Sequence, residues 1–364
     1  MFYHVGGRLR KVLRDNRFSA ARLATKRQMT DLEMNTESGV PPGAMSAATS
    51  EATSGPAPES PAPSAHAPGF AAATQPSYSR TLFLGPDGLR PGWGLIFYFA
   101  LFYPLQSVAS RLASSHDFGA SGLWSMLLEE FGRFVAAVIP AVALAQVERR
   151  PWGAYGLPAT QKLIRLLSVG ALWGLAAITL LMLTLRGAGA FSFGHLVLHG
   201  MRIARFAAFW GLMFLLVGLF EEFLLRGYSQ YTLARGVGFW PGAVLLSCAF
   251  GLTHLWNAGE QWSGLLAAAA IGFFFCLTLR RTGNLWFAVG FHATWDWGET
   301  FLYSVPDSGM VSPGHLLSSK LHGASWLAGG SVGPEGSVLC FVVITLTWFV
   351  FERAYPPLKK QGQT

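Results

Sequence analysis

Three short segments of this sequence place ionisable side chains inside apolar stretches, where a charge is costly and points to function by default. The first is Glu221-Glu222-Phe223-Leu224-Leu225-Arg226, which closes the apolar run from Phe206 to Phe220. On a helix, Glu222 and Arg226 are four residues apart and share a face, so they can form an ion pair. Glu221 is turned about 100° away and has no such local partner. One carboxylate is thus neutralised and the other is left for chemistry, with proton abstraction as the natural task. The second segment is Phe250-Gly251-Leu252-Thr253-His254, in which an imidazole ends an apolar run one turn after an aromatic ring. The third is His292-Ala293-Thr294-Trp295-Asp296, another pair at i, i+4, where an aspartate can orient the ring, bind a water or help hold a metal. Taken singly, each has a structural explanation as a helix end, a hydrogen-bonded histidine or a packing pair. Taken together, two carboxylates, an arginine, two histidines and an aspartate within one hydrophobic region suffice to hold and activate water. Hydrolysis of a bond presented at membrane depth is the reaction they suggest. A fourth group, Glu129, Glu130 and Arg133, is read as interfacial, at the outer start of its helix.

Other ways of cutting a peptide in the membrane lack their residues here. The sequence contains no His-Glu-x-x-His for a metalloprotease. The serine candidate Gly323-Ala324-Ser325-Trp326 falls in a loop and lacks a second glycine, and only Asp296 is placed for an aspartyl pair. The ordered set Glu221-Glu222-x-x-x-Arg226, Phe250-x-x-x-His254 and His292-x-x-x-Asp296 instead resembles the motifs of the CAAX-protease and bacteriocin-processing family, which includes the type II CAAX prenyl endopeptidase. The resemblance covers about residues 205–300. Arg235, Pro241, the run Arg281-Thr282-Gly283-Asn284-Leu285 and the stretch from Glu148-Arg149-Arg150 to Tyr155-Gly156-Leu157 also look similar to that family.

The resemblance implies an intramembrane endopeptidase with six site residues. Glu221 and His254 would activate the attacking water. Glu222 would pair with Arg226 and hold the site. His292 and Asp296 would stabilise the oxyanion on the scissile carbonyl. The prenyl-protein members carry asparagine where this chain has Asp296, and an ionised aspartate cannot donate the hydrogen bond that an asparagine can. Asp296 would therefore be protonated, orient His292, or complete a metal site. If a divalent metal such as zinc is bound, its ligands would come from Glu221, His254, His292 and Asp296. The expected partners are the lipid bilayer and a membrane-associated peptide or protein substrate. Two rival readings are a non-catalytic immunity or scaffold protein, with the motif residues as a packing network, and a proton-coupled transporter.

The elements that must position these residues are long apolar helices. Of 364 residues, 51% are hydrophobic and 13% charged, about half the charge of an ordinary soluble domain. Apolar runs near 20 residues can cross a bilayer as helices. Eight spans are expected, at about 92–112, 124–147, 164–185, 204–226, 241–256, 263–280, 285–304 and 337–352. The fold class is therefore an all-α, multi-pass transmembrane helix bundle with a disordered N-terminal tail. The divisions are 1–80, a basic then Pro/Ala/Ser-rich cytoplasmic tail; 81–202, N-terminal transmembrane helices; 203–304, the catalytic bundle; and 305–364, an extracytoplasmic loop, a last span and a short basic tail. The even-numbered spans exit beside Arg149, Arg150 and Lys162, beside Arg226 and Arg235, beside Arg280 and Arg281, and beside Arg353, Lys359 and Lys360. That asymmetry puts both termini in the cytoplasm of a protein of the plasma (inner) membrane.

The net charge of +8 is concentrated in the first 30 residues and at span ends, so topology accounts for it and a nucleic-acid partner is not expected. Cys248, Cys276 and Cys340 lie in apolar runs without metal-binding spacing and read as small buried hydrophobes. A geometric demand also follows from the topology. Glu221 lies late in an inward-going helix and His254 late in an outward-going one. They can meet only if the first helix runs on toward residue 234 or the second is tilted.

Overall fold

The computed structural model describes residues 82–85, 88–115, 122–151, 153–257 and 259–357. The expected disordered tail lies outside the described residues. Eight long helical stretches follow one another where the apolar runs place them: α1 (Pro91–Ser115), α2 (Leu123–Val147), α3 (Leu163–Gly187), α4 (Met201–Glu222) running on through a π turn (Phe223–Ser229) into α5 (Gln230–Val237), α6 (Phe239–Thr253), α7 (Trp262–Thr282), α8 (Trp286–Trp297) with a second π turn (Gly298–Leu302), and α10 (Val338–Ala354). A short α9 (Ser325–Ala328) sits in the loop before α10. Among the described residues, strand content is two small antiparallel pairs, β1 (Leu84–Gly85) with β2 (Gly88–Leu89) and β3 (Phe191–Ser192) with β4 (Lys320–Leu321). Among the described residues, five segments are long and apolar enough to cross a membrane: α1, α3, α4 through α5, α6 with the turn after it, and α7. The protein is a multi-pass helical membrane protein.

Two features of the helices depart from the sequence reading, and a third lies beside the site. Arg226 was grouped with the basic residues at a cytoplasmic exit, but it is fully buried, because its helix does not end there but continues to Val237. Cys248 is exposed on α6 rather than buried; Cys276 and Cys340 are buried, and all three are free thiols.

The centre of the fold is α8. Phe287 through Ala293, Trp295 and Asp296 are all buried, so it is surrounded on every side, as a helix apolar all round must be. Small residues let its neighbour come close. A Cβ on Gly170 or Gly174 of α3 would collide with the carbonyl oxygens of Phe287 or Phe291, and one on Gly290 would collide with that of Leu167. This is the small-xxx-small packing that replaces the hydrophobic driving force between helices in lipid. The Thr294 hydroxyl adds a bond across the contact, donating to the Ala171 carbonyl at 2.7 Å.

The start of α8 is held by the loop between α2 and α3. Leu285 N–H donates to the Gly156 carbonyl (2.8 Å) and the Trp286 indole donates to the Pro158 carbonyl (3.0 Å). Gly156 has φ +95°, and a side chain there would also strike Leu285, so glycine is required twice over. At the other end of this loop, the buried Glu148 carboxylate receives Arg150 (2.9 Å) and Arg235 of α5 (3.3 Å). Of the residues that resembled family features outside the three motifs, Arg235, Leu285 and the stretch from Glu148 to Gly156 thus belong to one clamp around the site helices, whereas Arg281 pairs with Glu352 of α10 at 3.0 Å.

Candidate active site

Side chains of the three motifs pack together: Glu222 and Arg226 of the first, Phe250 of the second and His292 of the third. Glu222 is fully buried, and its Oε1 accepts from Arg226 Nη1 at 3.2 Å, as the i, i+4 spacing predicts, and from His292 Nδ1 at 3.0 Å. One carboxylate oxygen therefore joins the first motif to the third. Because that oxygen can only accept, the bond places a proton on His292 Nδ1 and turns Nε2 toward the rest of the site. Nε2 lies 3.7 Å from Glu221 Oε2 and 3.5 Å from Asp296 Oδ2. His292 is thus ringed by three carboxylates with distinct placements. Glu222 is closed off from solvent, whereas Glu221 and Asp296 each keep some exposure.

Arg226 is held as an internal cation. Its guanidinium carbon sits 4.6 Å from the Phe250 ring centre and 5.9 Å from that of Phe275, over their negative faces. Space for it is made by Gly272, where a Cβ would overlap the guanidinium. The π turn that carries Arg226 has its break at Gly227 (ψ −111°), where the helix widens by a residue. Such π turns recur at functional sites because they re-aim side chains without ending the helix.

His254 follows α6 as the first residue of a tight turn, and it is buried. Its Nδ1 lies 2.9 Å from the Phe250 carbonyl, which as an acceptor fixes the proton on Nδ1 and leaves Nε2 basic. Phe250 is the common neighbour: its ring is 4.9 Å from the His254 ring and 6.4 Å from the His292 ring, besides covering Arg226. The demand that the Glu221 helix run on toward residue 234 is met by the continuous segment to Val237.

Residues outside the motifs also reach the site. Glu129, Glu130 and Arg133 are not interfacial but buried, with Arg133 bonded to Glu129 at 2.6 Å and to Glu130 at 2.5 Å. Ser110 of α1 donates to Glu129 at 3.2 Å, and Glu130 is close enough to Glu221 for their charges to interact. Glu260, in the loop after α6, is charge-coupled to His254, and burial pushes its carboxyl above the ordinary carboxylate range. Glu299, Asp307 and Glu335 lie beyond Asp296 and couple to it. The rule that flags ionisable residues in a span reaches Glu299; nothing in the sequence brings Asp307 and Glu335 to it.

Among the described residues, Glu299, Asp307 and Glu335 are the one set of three His, Cys, Asp or Glu side chains whose ligand atoms lie within 4.8 Å of one another. Glu221, His254, His292 and Asp296 do not meet that spacing as a set.

Residues 203–298 match the family model described as type II CAAX prenyl endopeptidase, Rce1-like. The matched segment runs from the start of α4 to the end of α8 and contains all three motifs. No curated protein matches the chain. The match is to the family that the motifs resemble, and at that level it supports a protease.

Proposed function

We propose that the protein is an intramembrane endopeptidase that hydrolyses a peptide bond of a membrane-associated protein or peptide. The observation that carries this reading is the placement of His292, with Nδ1 on Glu222 and Nε2 between Glu221 and Asp296. Glu221 is the general base: it has no arginine partner, unlike Glu222, and it is not sealed from solvent. It takes a proton from the attacking water, and His254, with Nε2 free to accept, shares the task of orienting that water. Glu222 and Arg226 keep each other charged inside the bundle and hold the His292 ring. As the tetrahedral intermediate forms, His292 presents an Nε2–H to the developing oxyanion. Asp296, with Oδ2 3.5 Å from that same nitrogen, faces it as a charge partner in the resting site, and when protonated it becomes a second donor. Electrostatic support of this kind is worth about 3–4 kcal/mol per donor. The proton held by Glu221 then passes to the leaving amine.

Localisation in a plasma (inner) membrane with cytoplasmic termini belongs to the same proposal and rests on the basic residues at the span ends. The test uses the full chain purified in detergent and offered quenched-fluorescence peptides, one set ending in a farnesylated CAAX sequence and one set unmodified. Cleavage by the wild type is expected, with loss in Glu221→Ala and His254→Ala variants that keep the wild-type melting profile. Cleavage at the wild-type rate by either variant would remove that residue from the mechanism.

A further inference from the structure

A second group of carboxylates gathers where the segment after α8 returns to α10. Glu299 belongs to the π turn that extends α8, Asp307 to the loop that follows, and Glu335 to the tight turn Pro334–Gly336 before α10. One carboxylate oxygen from each lies within 4.8 Å of the others. Glu299 is 0% exposed, and neither of its oxygens has a hydrogen-bond partner. The Trp295 indole approaches it without reaching hydrogen-bond geometry. The other two carboxylates are each anchored through one oxygen: the Ser308 hydroxyl donates to Glu335 Oε2 at 2.8 Å, and the Thr300 hydroxyl donates to Asp307 Oδ2 at 3.2 Å. The charges that act most strongly on Glu299 are Glu335, Asp307 and Asp296, all anionic. Those acting on Asp307 are Asp296 and Glu335, opposed by His292. Desolvation and these neighbours push the Asp307 carboxyl well above its ordinary value.

We infer that Glu299, Asp307 and Glu335 bind one hard divalent cation of the calcium type. A buried, unpartnered carboxylate aimed at two others needs a positive partner, and no lysine or arginine is among the charges named. Three oxygens within 4.8 Å of one another can share an ion at the calcium–oxygen distance of about 2.3–2.6 Å. An all-oxygen donor set favours calcium or magnesium over the softer metals. The ion ties together residues 299, 307 and 335, and so fixes the loop between α8 and α10. It also sets positive charge one turn from Asp296. The inference stands apart from the protease reading, because its test reads binding and stability.

The experiment is thermal unfolding of the detergent-solubilised full chain, stripped with EDTA and then titrated with CaCl2 or MgCl2, alongside isothermal titration calorimetry. A saturable upward shift in Tm with calcium and one site per chain are expected. Glu299→Gln should abolish both the shift and the calorimetric signal, and should melt above the stripped wild type because one repelling charge is gone. If Glu299→Gln does not fold, Asp307→Asn and Glu335→Gln are each expected to weaken calcium binding at least tenfold. A wild type that takes up no calcium or magnesium, and whose Tm rises only on acidification, is a proton-sharing cluster, and the inference is then wrong.

Discussion

The two adjacent carboxylates of the first motif differ in everything but residue type. Glu222 is sealed and doubly bonded, to Arg226 and His292; Glu221 faces His292 from 3.7 Å with no cation of its own. A general base typically contributes about 10²–10⁴-fold, so Glu221→Gln is expected to lower the cleavage rate by that factor without changing Tm. Glu222 predicts the reverse emphasis. Glu222→Leu leaves Arg226 buried without a counter-charge, which costs about 3–5 kcal/mol. Adding Arg226→Met to that variant should recover most of the stability and none of the activity, because His292 stays unheld. Denaturation of the two single variants and the double variant measures this. Full additivity of the two losses would mean that the pair is not coupled.

At the scale of elements, the site depends on how closely α3 and α8 approach. Gly174 faces the Phe291 carbonyl, the residue before His292, and Gly170 faces that of Phe287. Gly174→Leu should push the helices apart and destabilise the protein by at least the ~1–3 kcal/mol typical of overpacking. It should also abolish cleavage, since Nδ1 of His292 would leave Glu222. Retained activity in a fully folded Gly174→Leu protein would show that this contact does not position the site. A milder lever is the clamp on the other helices. Arg235→Ala removes the α5 contact to Glu148, and its expected effect is a lower Tm with the chemical step intact.

At the scale of the molecule, the proposed orientation rests on the alternation of basic span ends. Gln161, beside Lys162, should face the cytoplasm and Val311, in the exposed loop before α10, the other side. In a Cys248→Ser background, a membrane-impermeant maleimide added to spheroplasts should label Val311→Cys and not Gln161→Cys. The opposite pattern would invert the topology.

What the sequence determined by itself are the properties carried by one helix at a time. Apolar runs near the bilayer thickness mark where the eight long helical stretches lie, of which five among the described residues are long and apolar enough to cross a membrane. The i, i+4 spacing pairs Glu222 with Arg226 and puts His292 and Asp296 on one face. The charge between spans supports the proposed orientation. Only the tertiary structure decided which groups from different helices meet: that Glu222 reaches His292 as well as Arg226, that Phe250 joins His254 to both, and that Arg226 lies in the interior. It also decided that Glu129, Glu130 and Arg133 are buried rather than interfacial, and that Glu299 faces Asp307 and Glu335. The physical reason is that periodicity fixes a residue's angle on its own helix, whereas burial and charge pairing depend on crossing, depth and small-residue contacts between helices. The close approach of Gly170 and Gly174 to α8, and the π turn at Gly227, set those relations here.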